Sequence, residues 1–309
     1  MVKKKLVFIL VILLGFSLAA LVIYKAYSNC LEAKKKKLIL EKRKSAWSVL
    51  KKTIEFEVPN FKGEAAVIIE DLNMRWKISF NRDKLFPSAS LVKIPIMAAC
   101  FYAAREGRIS LKDKLTLKNS SKTPGSGVLK NMAAGSTFTV DKIIEIMITK
   151  SDNTATNMLI ELLTFDYLNR FFKTQGLSNT NLSRKMMDFK YRRKGVENYT
   201  TAEDLAYLLE RIYRREFLNR DISERCLSML LQQKVNDRIP ARLPRNVPVA
   251  HKTGLESQVC HDVGILFAPQ GDFLICVLTK SKAGRKEIKE FIARLALFTY
   301  NSYNKLLSS

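Results

Sequence analysis

Runs with strand character lie near both ends of this chain, separated by a long helical middle, and that split constrains the fold more than any other feature. Residues 65–70 and 76–80 are rich in apolar and β-branched side chains, and Asp71, Asn73 and Arg75 between them suit a hairpin turn. Three further runs, at 247–253, 263–268 and 273–279, come late, the last two joined by Pro269, Gln270, Gly271 and Asp272. In the middle, apolar residues recur at helical spacing over 139–150, 154–163 and 201–214, and a long apolar helix begins near Ser90. Residues 112–135 hold Pro124, Gly125, Gly127 and Gly135 among serines and lysines and read as loop. Amphipathic helices are expected at 38–56 and 285–307, flanking the strands. Strands from both ends meet in one sheet only if the middle loops out. The expectation is an α/β (α+β) fold of two lobes. An antiparallel sheet covered by the N- and C-terminal helices uses 38–85 and 240–309, and an all-helical lobe, 86–239, is inserted.

With 309 residues, 47% of them hydrophobic, the chain can bury a sizeable core. Its 53 Lys and Arg against 29 Asp and Glu give a net charge of +24, which favours an anionic partner or surface. The cations are spread along the chain rather than interleaved with aromatics on one face, so nucleic acid is not the expected partner. Residues 6–24 are 19 positions without a charge, about 28 Å as a helix and close to the thickness of a bilayer core. This stretch exceeds the usual apolar region of a cleaved signal. Residues 1–24 are therefore read as a membrane anchor followed by a basic linker, 25–37, with cleavage near Ala19 and Ala20 as the alternative. The five cysteines show no C-x-x-C and read as small buried hydrophobes, with Cys260 and Cys276 the one candidate bridge. Two histidines, His251 and His261, are too few for a multi-histidine metal centre, and neither metal nor cofactor is expected.

Chemistry concentrates in three short segments. Ser90 and Lys93 stand one turn apart at the head of the apolar helix, where the amine can reach the hydroxyl and the helix N-terminus favours negative charge on an attacked carbonyl. The same spacing recurs at Ser48 and Lys51, on a basic helix where a solvated face explains it. Two later segments distinguish Ser90: Ser151-Asp152-Asn153 lies 61 residues on, and Lys252-Thr253-Gly254 a further 101, at the end of a strand-like run. Ser-x-x-Lys, Ser-Asp-Asn and Lys-Thr-Gly in that order are the motif set of class A β-lactamases and penicillin-binding proteins. Over roughly residues 40–305 the chain resembles the class A β-lactamase family, the penicillin-recognising serine hydrolases. The resemblance extends to Asn157, to residues 125–129 and to His261-Asp262-Val263-Gly264.

The resemblance implies a monomeric, extracytoplasmic enzyme, in the periplasm or at the cell surface, acting on a β-lactam or a peptidoglycan-like peptide. Ser90 would be the nucleophile, with the backbone N–H groups of Ser90 and Leu255 as oxyanion donors. Lys93 would activate it, Ser151 would relay a proton to the leaving nitrogen, and Asn153 would hold Lys93 and the substrate amide. Lys252 and Thr253 would bind the substrate carboxylate, with Gly254 letting substrate lie along the strand edge and His261 standing where the family often has an arginine. One departure matters. Members that hydrolyse penicillins rapidly use a glutamate to activate the deacylating water, and here Met186 takes that position and Lys190 that of a following asparagine. Asp188 and Glu197 are the carboxylates close enough in sequence to substitute. The implied function is β-lactamase-like hydrolysis, with a D,D-carboxypeptidase or a penicillin-binding sensor without turnover as the alternatives.

Overall fold

The computed structural model describes residues 1–282 and 284–303. The side chains of Lys4, Leu6, Val7, Ile9, Leu10, Val11 and Ile12, within or beside the expected anchor, lie outside the described residues, as do positions 304–307 of the expected last helix. The chain divides into two compact units, Met1–Leu50 with the described residues from Ser302 on, and Lys51–Asn301. The first unit is a helix. It belongs to α1, which runs unbroken over Val2–Glu57, so the basic stretch 25–37, expected as a linker, is helical. Lys, Glu, Ala and Leu, which dominate residues 31–44, are all good helix formers. Among the described residues, one helical stretch, Leu13–Glu57, is long and apolar enough to cross a membrane.

The second unit holds the sheet and the remaining helices. Strand β1 (Glu64–Asp71) turns into β2 (Trp76–Phe80) through Asp71, whose carboxylate accepts from the N–H groups of Asn73 and Met74, both at 2.9 Å. After β3 (Phe86–Pro87), a 3₁₀ turn at Ala89–Val92 leads into α2 (Lys93–Arg105). Pro95 falls within the first turn of α2, where its missing N–H removes no helical bond, and the Leu91 carbonyl still accepts from Lys93 N–H. The short strands β4 (Lys114–Thr116) and β5 (Thr137–Thr139) pair around the glycine-rich loop. Then come α3 (Val140–Thr149), α4 (Asn153–Leu163), α5 (Phe165–Thr174) and α6 (Phe189–Arg193). Strand β6 (Tyr199–Thr200) pairs with β3, and α7 (Ala202–Tyr213) and α8 (Arg220–Leu231) come next. Strands β7 (Val249–Leu255), β8 (Cys260–Ala268) and β9 (Gly271–Lys280), then α9 (Arg285–Asn301), complete the unit.

The five long strands form one antiparallel sheet in the order β2-β1-β9-β8-β7, which joins the two ends of the domain as the split pattern requires. Both faces are covered, so β1, β8 and β9 read as nearly continuous apolar runs. Ala66, Ile68, Val263, Ile265, Leu274 and Cys276 join the large core with Leu205 and Leu209 of α7, while α9 packs on β8 and β9 through residues such as Ile288, Phe291 and Ile292. Helix α2 is buried almost all round, from Lys93 to Phe101, and touches α3, α4, α5, α7 and α8. A helix held on every side is a rigid mount for residues at its head. The five cysteines are free: Cys276 lies opposite Val263 and Cys260 opposite Leu255, so the proposed bridge between them does not exist.

Candidate active site

The head of α2, the turn between α3 and α4, and the edge strand β7 converge. Ser90 sits half-buried in the 3₁₀ turn, after Ala89, which takes a left-handed φ of 45°. Lys93 is fully buried, and its Nζ lies 2.6 Å from the Ser151 carbonyl oxygen, 2.9 Å from Asn153 Oδ1 and 3.2 Å from Ser151 Oγ. From the opposite side Lys252 Nζ, also fully buried, donates to Ser151 Oγ at 2.9 Å and to the Thr253 carbonyl at 2.9 Å. One hydroxyl therefore bridges two buried amines. Ser151 reaches this position through a left-handed φ of 51°, a conformation costing a non-glycine residue about 1–3 kcal/mol and held here by the surrounding bonds.

Those bonds radiate from Asp152 and Asn153. Asp152 caps α4, accepting from Ala155 N–H at 2.8 Å, and its other oxygen accepts from the N–H groups of Val128 and Leu129 at 2.6 and 2.8 Å. The loop can lie this close only because Gly127 has φ of 118° and no side chain, since a Cβ there would fall 2.3 Å from the Asp152 carboxylate. Asn153 Nδ2 donates to the Pro124 carbonyl, which aims Oδ1 at Lys93. Gly254 plays a comparable part on β7. A Cβ there would meet His261 Cδ2 at 3.1 Å, Leu91 Cγ at 3.2 Å and Ala89 Cβ at 3.4 Å, so the strand edge packs directly on the turn bearing Ser90.

Burial sets the protonation of the two amines. Desolvation, then repulsion from Lys252, holds Lys93 well below its usual range. Desolvation likewise lowers Lys252 to about 7, the nearby Asp262 carboxylate opposing the shift and Arg238 adding to it. A neutral Lys93 has two N–H bonds, which go to the Ser151 carbonyl and Asn153 Oδ1, the shorter contacts. The 3.2 Å contact is then Ser151 O–H donating to the Lys93 lone pair, while Ser151 Oγ accepts from Lys252.

Lys93, Ser151, Asn153 and Lys252 are thus brought together, Gly254 packs on the turn that carries Ser90, and Thr253 and Leu255 continue the same strand. His261 departs from expectation. It is fully buried, its Nε2 donates to the Pro87 carbonyl at 2.9 Å and its Nδ1 accepts from Thr279 N–H at 3.0 Å, so neither nitrogen is left for a substrate carboxylate. Desolvation lowers it to about 4, which keeps the ring neutral. It anchors β3 to the sheet instead. His251 is structural as well, lying between Asp262 and Asn236.

Both carboxylates that could substitute for the deacylating glutamate have partners. Asp188 caps α6 through Tyr191 N–H, and Glu197 pairs with Arg184 at 2.6 Å and Arg192 at 3.4 Å. Met186 is buried, with its N–H bonded to Asn157 Oδ1 and its carbonyl to Asn157 Nδ2. Two cations were missed from the sequence. Arg238, 1% exposed, bonds Cys260 Sγ and lies near enough to depress Lys252, and Arg184 pairs with Glu256 just beyond Leu255. No local motif marks either.

The cleft thus holds the Ser151 hydroxyl between two buried amines, beside the edge strand β7. Residues 49–303 match the beta-lactamase enzyme family, and the chain belongs to that family. It is 24% identical over 257 residues to the beta-lactamase VEB-1 of Pseudomonas aeruginosa, covering 77% of this chain and 84% of that protein. Among solved structures, PBP-A superimposes with a TM-score of 0.76 at 30% identity, over 83% of this chain and 96% of that one. A beta-lactamase from Sphaerobacter thermophilus gives 0.75 at 27%, over 84% and 98%. A PBP-A mutant captured as an acyl-enzyme with penicillin G gives 0.76 at 30%, over 84% and 97%.

Proposed function

We propose that this protein is a penicillin-recognising serine acyl-transfer enzyme whose acyl-enzyme at Ser90 forms readily and breaks down slowly. The observation that carries the reading is the Ser151 hydroxyl held between the Lys93 and Lys252 amines, a ready proton path. Neutral Lys93 accepts the Ser90 proton as Ser90 Oγ attacks the lactam carbonyl carbon. The N-terminal end of α2 and the N–H groups of Ser90 and Leu255 stabilise the oxyanion. As the C–N bond breaks, Ser151 passes its proton to the leaving nitrogen and is reprotonated from Lys93. Lys252, Thr253 and the buried Arg238 supply the donors and charge for the substrate carboxylate.

Breakdown is slow because the position expected to activate water carries the Met186 thioether, which is no general base, and Asp188 and Glu197 are committed elsewhere. Each ~1.4 kcal/mol on the deacylation barrier slows turnover tenfold. The captured PBP-A acyl-enzyme supports the same chemistry on this scaffold. The apolar part of α1 is read as the anchor that keeps the domain on the outer side of the membrane, where such substrates lie.

The test is a pulse of fluorescent penicillin on the full chain in detergent, chased with unlabelled penicillin, alongside release of D-alanine from a peptide ending in D-Ala-D-Ala. Label that persists through the chase is expected. Rapid multiple turnover of a chromogenic cephalosporin would overturn the slow step, and absence of both label and D-alanine would overturn the site.

A further inference from the structure

Strand β7 ends at Leu255, and the side chain of the next residue reaches the loop at 184–197. Glu256 Oε1 lies 3.2 Å from Arg184 NH2, and Glu256 Oε2 lies 3.3 Å from Arg192 NH1. Both arginines also hold Glu197, at 2.6 and 3.4 Å, so two carboxylates and two guanidinium groups close a ring. Three members of the ring are largely out of water, Arg184 at 2%, Glu197 at 9% and Glu256 at 15% exposed, while Arg192, at 29%, closes it on the solvent side.

The ring's two ends are attached to different parts of the site. Arg184, Arg192 and Glu197 belong to the loop at 184–197, whose neck is closed by Asn198. That side chain accepts from the N–H groups of Ser183 and Arg184 and donates to the Arg184 carbonyl. The Asn198 carbonyl in turn accepts from Ser88 N–H at 2.7 Å, two residues before the nucleophile. The loop is therefore fastened to the Ser90 segment by backbone bonds and to the end of β7 by Glu256. Beyond Glu256 the chain turns immediately, with Glu256 N–H bonded to the Val259 carbonyl and Gln258 at φ of 65°. Leu255 is the last residue of β7 paired with β8, opposite Cys260, and the turn beyond it is tied to β9 by the Val259–Lys280 bridge and by Ser281 N–H on the Gln258 carbonyl.

We propose that Glu256 is a positioning residue for acylation: its bridge to Arg184 and Arg192 fixes the end of β7 relative to the Ser90 turn, and so fixes the Leu255 N–H as an oxyanion donor. The proposal rests on the acyl-transfer reading above. Glu256 touches no reacting atom; it acts on Leu255 through one peptide bond, and its charge also raises the Lys93 amine against the burial that lowers it. Removing an oxyanion donor outright costs about 10²–10³ in rate, so a loosened donor costs less, about 10-fold to 100-fold, and the loss falls on the chemical step because ground-state binding uses Lys252 and Thr253.

The experiment measures the maximal acylation rate and the half-saturating penicillin concentration by stopped flow for the full chain in detergent, with E256Q, E256D and R192Q. Glutamine keeps the shape of Glu256 and leaves Arg184 paired with Glu197. Expected is a 10-fold to 100-fold lower maximal rate for E256Q at a half-saturating concentration changed less than about twofold. A smaller loss in the same direction is expected for R192Q, and partial recovery for E256D. Hydrogen exchange at residues 184–197 and 255–260 should rise together in E256Q. An unchanged maximal rate, or a loss carried entirely by the half-saturating concentration, overturns the proposal while leaving acylation at Ser90 standing. A wild-type chain that is not acylated at all overturns both.

Discussion

Replacing Lys252 by methionine should make the protein more stable at neutral pH and abolish its use for penicillin. The Lys252 amine is fully buried and lowered to about 7 from an ordinary 10.5. At about 1.4 kcal/mol per unit, 3.5 units amount to about 5 kcal/mol charged against the fold whenever the unfolded amine is protonated. Methionine forfeits two hydrogen bonds, to Ser151 Oγ and the Thr253 carbonyl, worth about 1 kcal/mol each. The net gain is about 3 kcal/mol at pH 7. The sign comes from proton counting: between about 7 and 10.5 the unfolded chain binds one more proton at this site than the folded one, so wild-type stability rises with pH across that window. Below 7 the cost is full and constant, and above about 10.5 it is gone. The advantage of K252M should therefore shrink steadily from pH 7, vanish near about pH 9 and reverse above it, where the two lost hydrogen bonds are all that remains. Urea unfolding of both proteins, monitored by tryptophan fluorescence at intervals from pH 6 to pH 10, measures it. The expected midpoint gap at pH 7 is about 1–2 M. A variant less stable than wild type at pH 7, or a gap independent of pH, would refute the electrostatic account of this cleft.

Three further outcomes are expected. Met186→Glu, whose backbone Asn157 holds on both sides, should speed loss of the penicillin label by about 10²–10⁴ through a new general base, at a stability cost of about 1–3 kcal/mol for the buried carboxyl. Unaltered label lifetime would show that residue 186 does not face the acyl carbon. Gly127→Ala should lower stability by about 3 kcal/mol or more, read as a fall in melting temperature, because its Cβ would collide with Asp152 and part it from Val128 and Leu129. The acylation rate constant for anionic penicillins should fall as pH rises through about 7, where Lys252 loses its charge, whereas a penicillin methyl ester should show no such limb.

Much of the fold was legible because its signals are local. The β1–β2 hairpin was marked by polar residues at 71–75, β7 to β9 by β-branched runs, and α3, α4 and α7 by helical periodicity. Helices α5, α6 and α8 were not individually foreseen: α6 has no buried face, whereas α5 does carry an amphipathic pattern, with Leu168, Phe171 and Phe172 on its buried side. In the site, Lys93, Ser151, Asn153 and Lys252 came together as three short motifs indicated, each fixed by its neighbours in sequence. His261 was misjudged because a strand position does not reveal that the Pro87 carbonyl and Thr279 N–H occupy its ring. Arg238 and Glu256 were invisible for a similar reason: their partners lie up to 72 positions away, and no periodicity records them.

Intact-protein mass spectrometry of the wild-type chain and Ser90→Ala after brief exposure to penicillin G tests the acyl-enzyme most directly. The wild type should gain the full mass of one penicillin, located by peptide mapping to the segment holding Ser90 and persisting for many minutes, and Ser90→Ala should gain nothing. An adduct of the same mass on Ser90→Ala, or on any other residue of the wild type, would contradict the account.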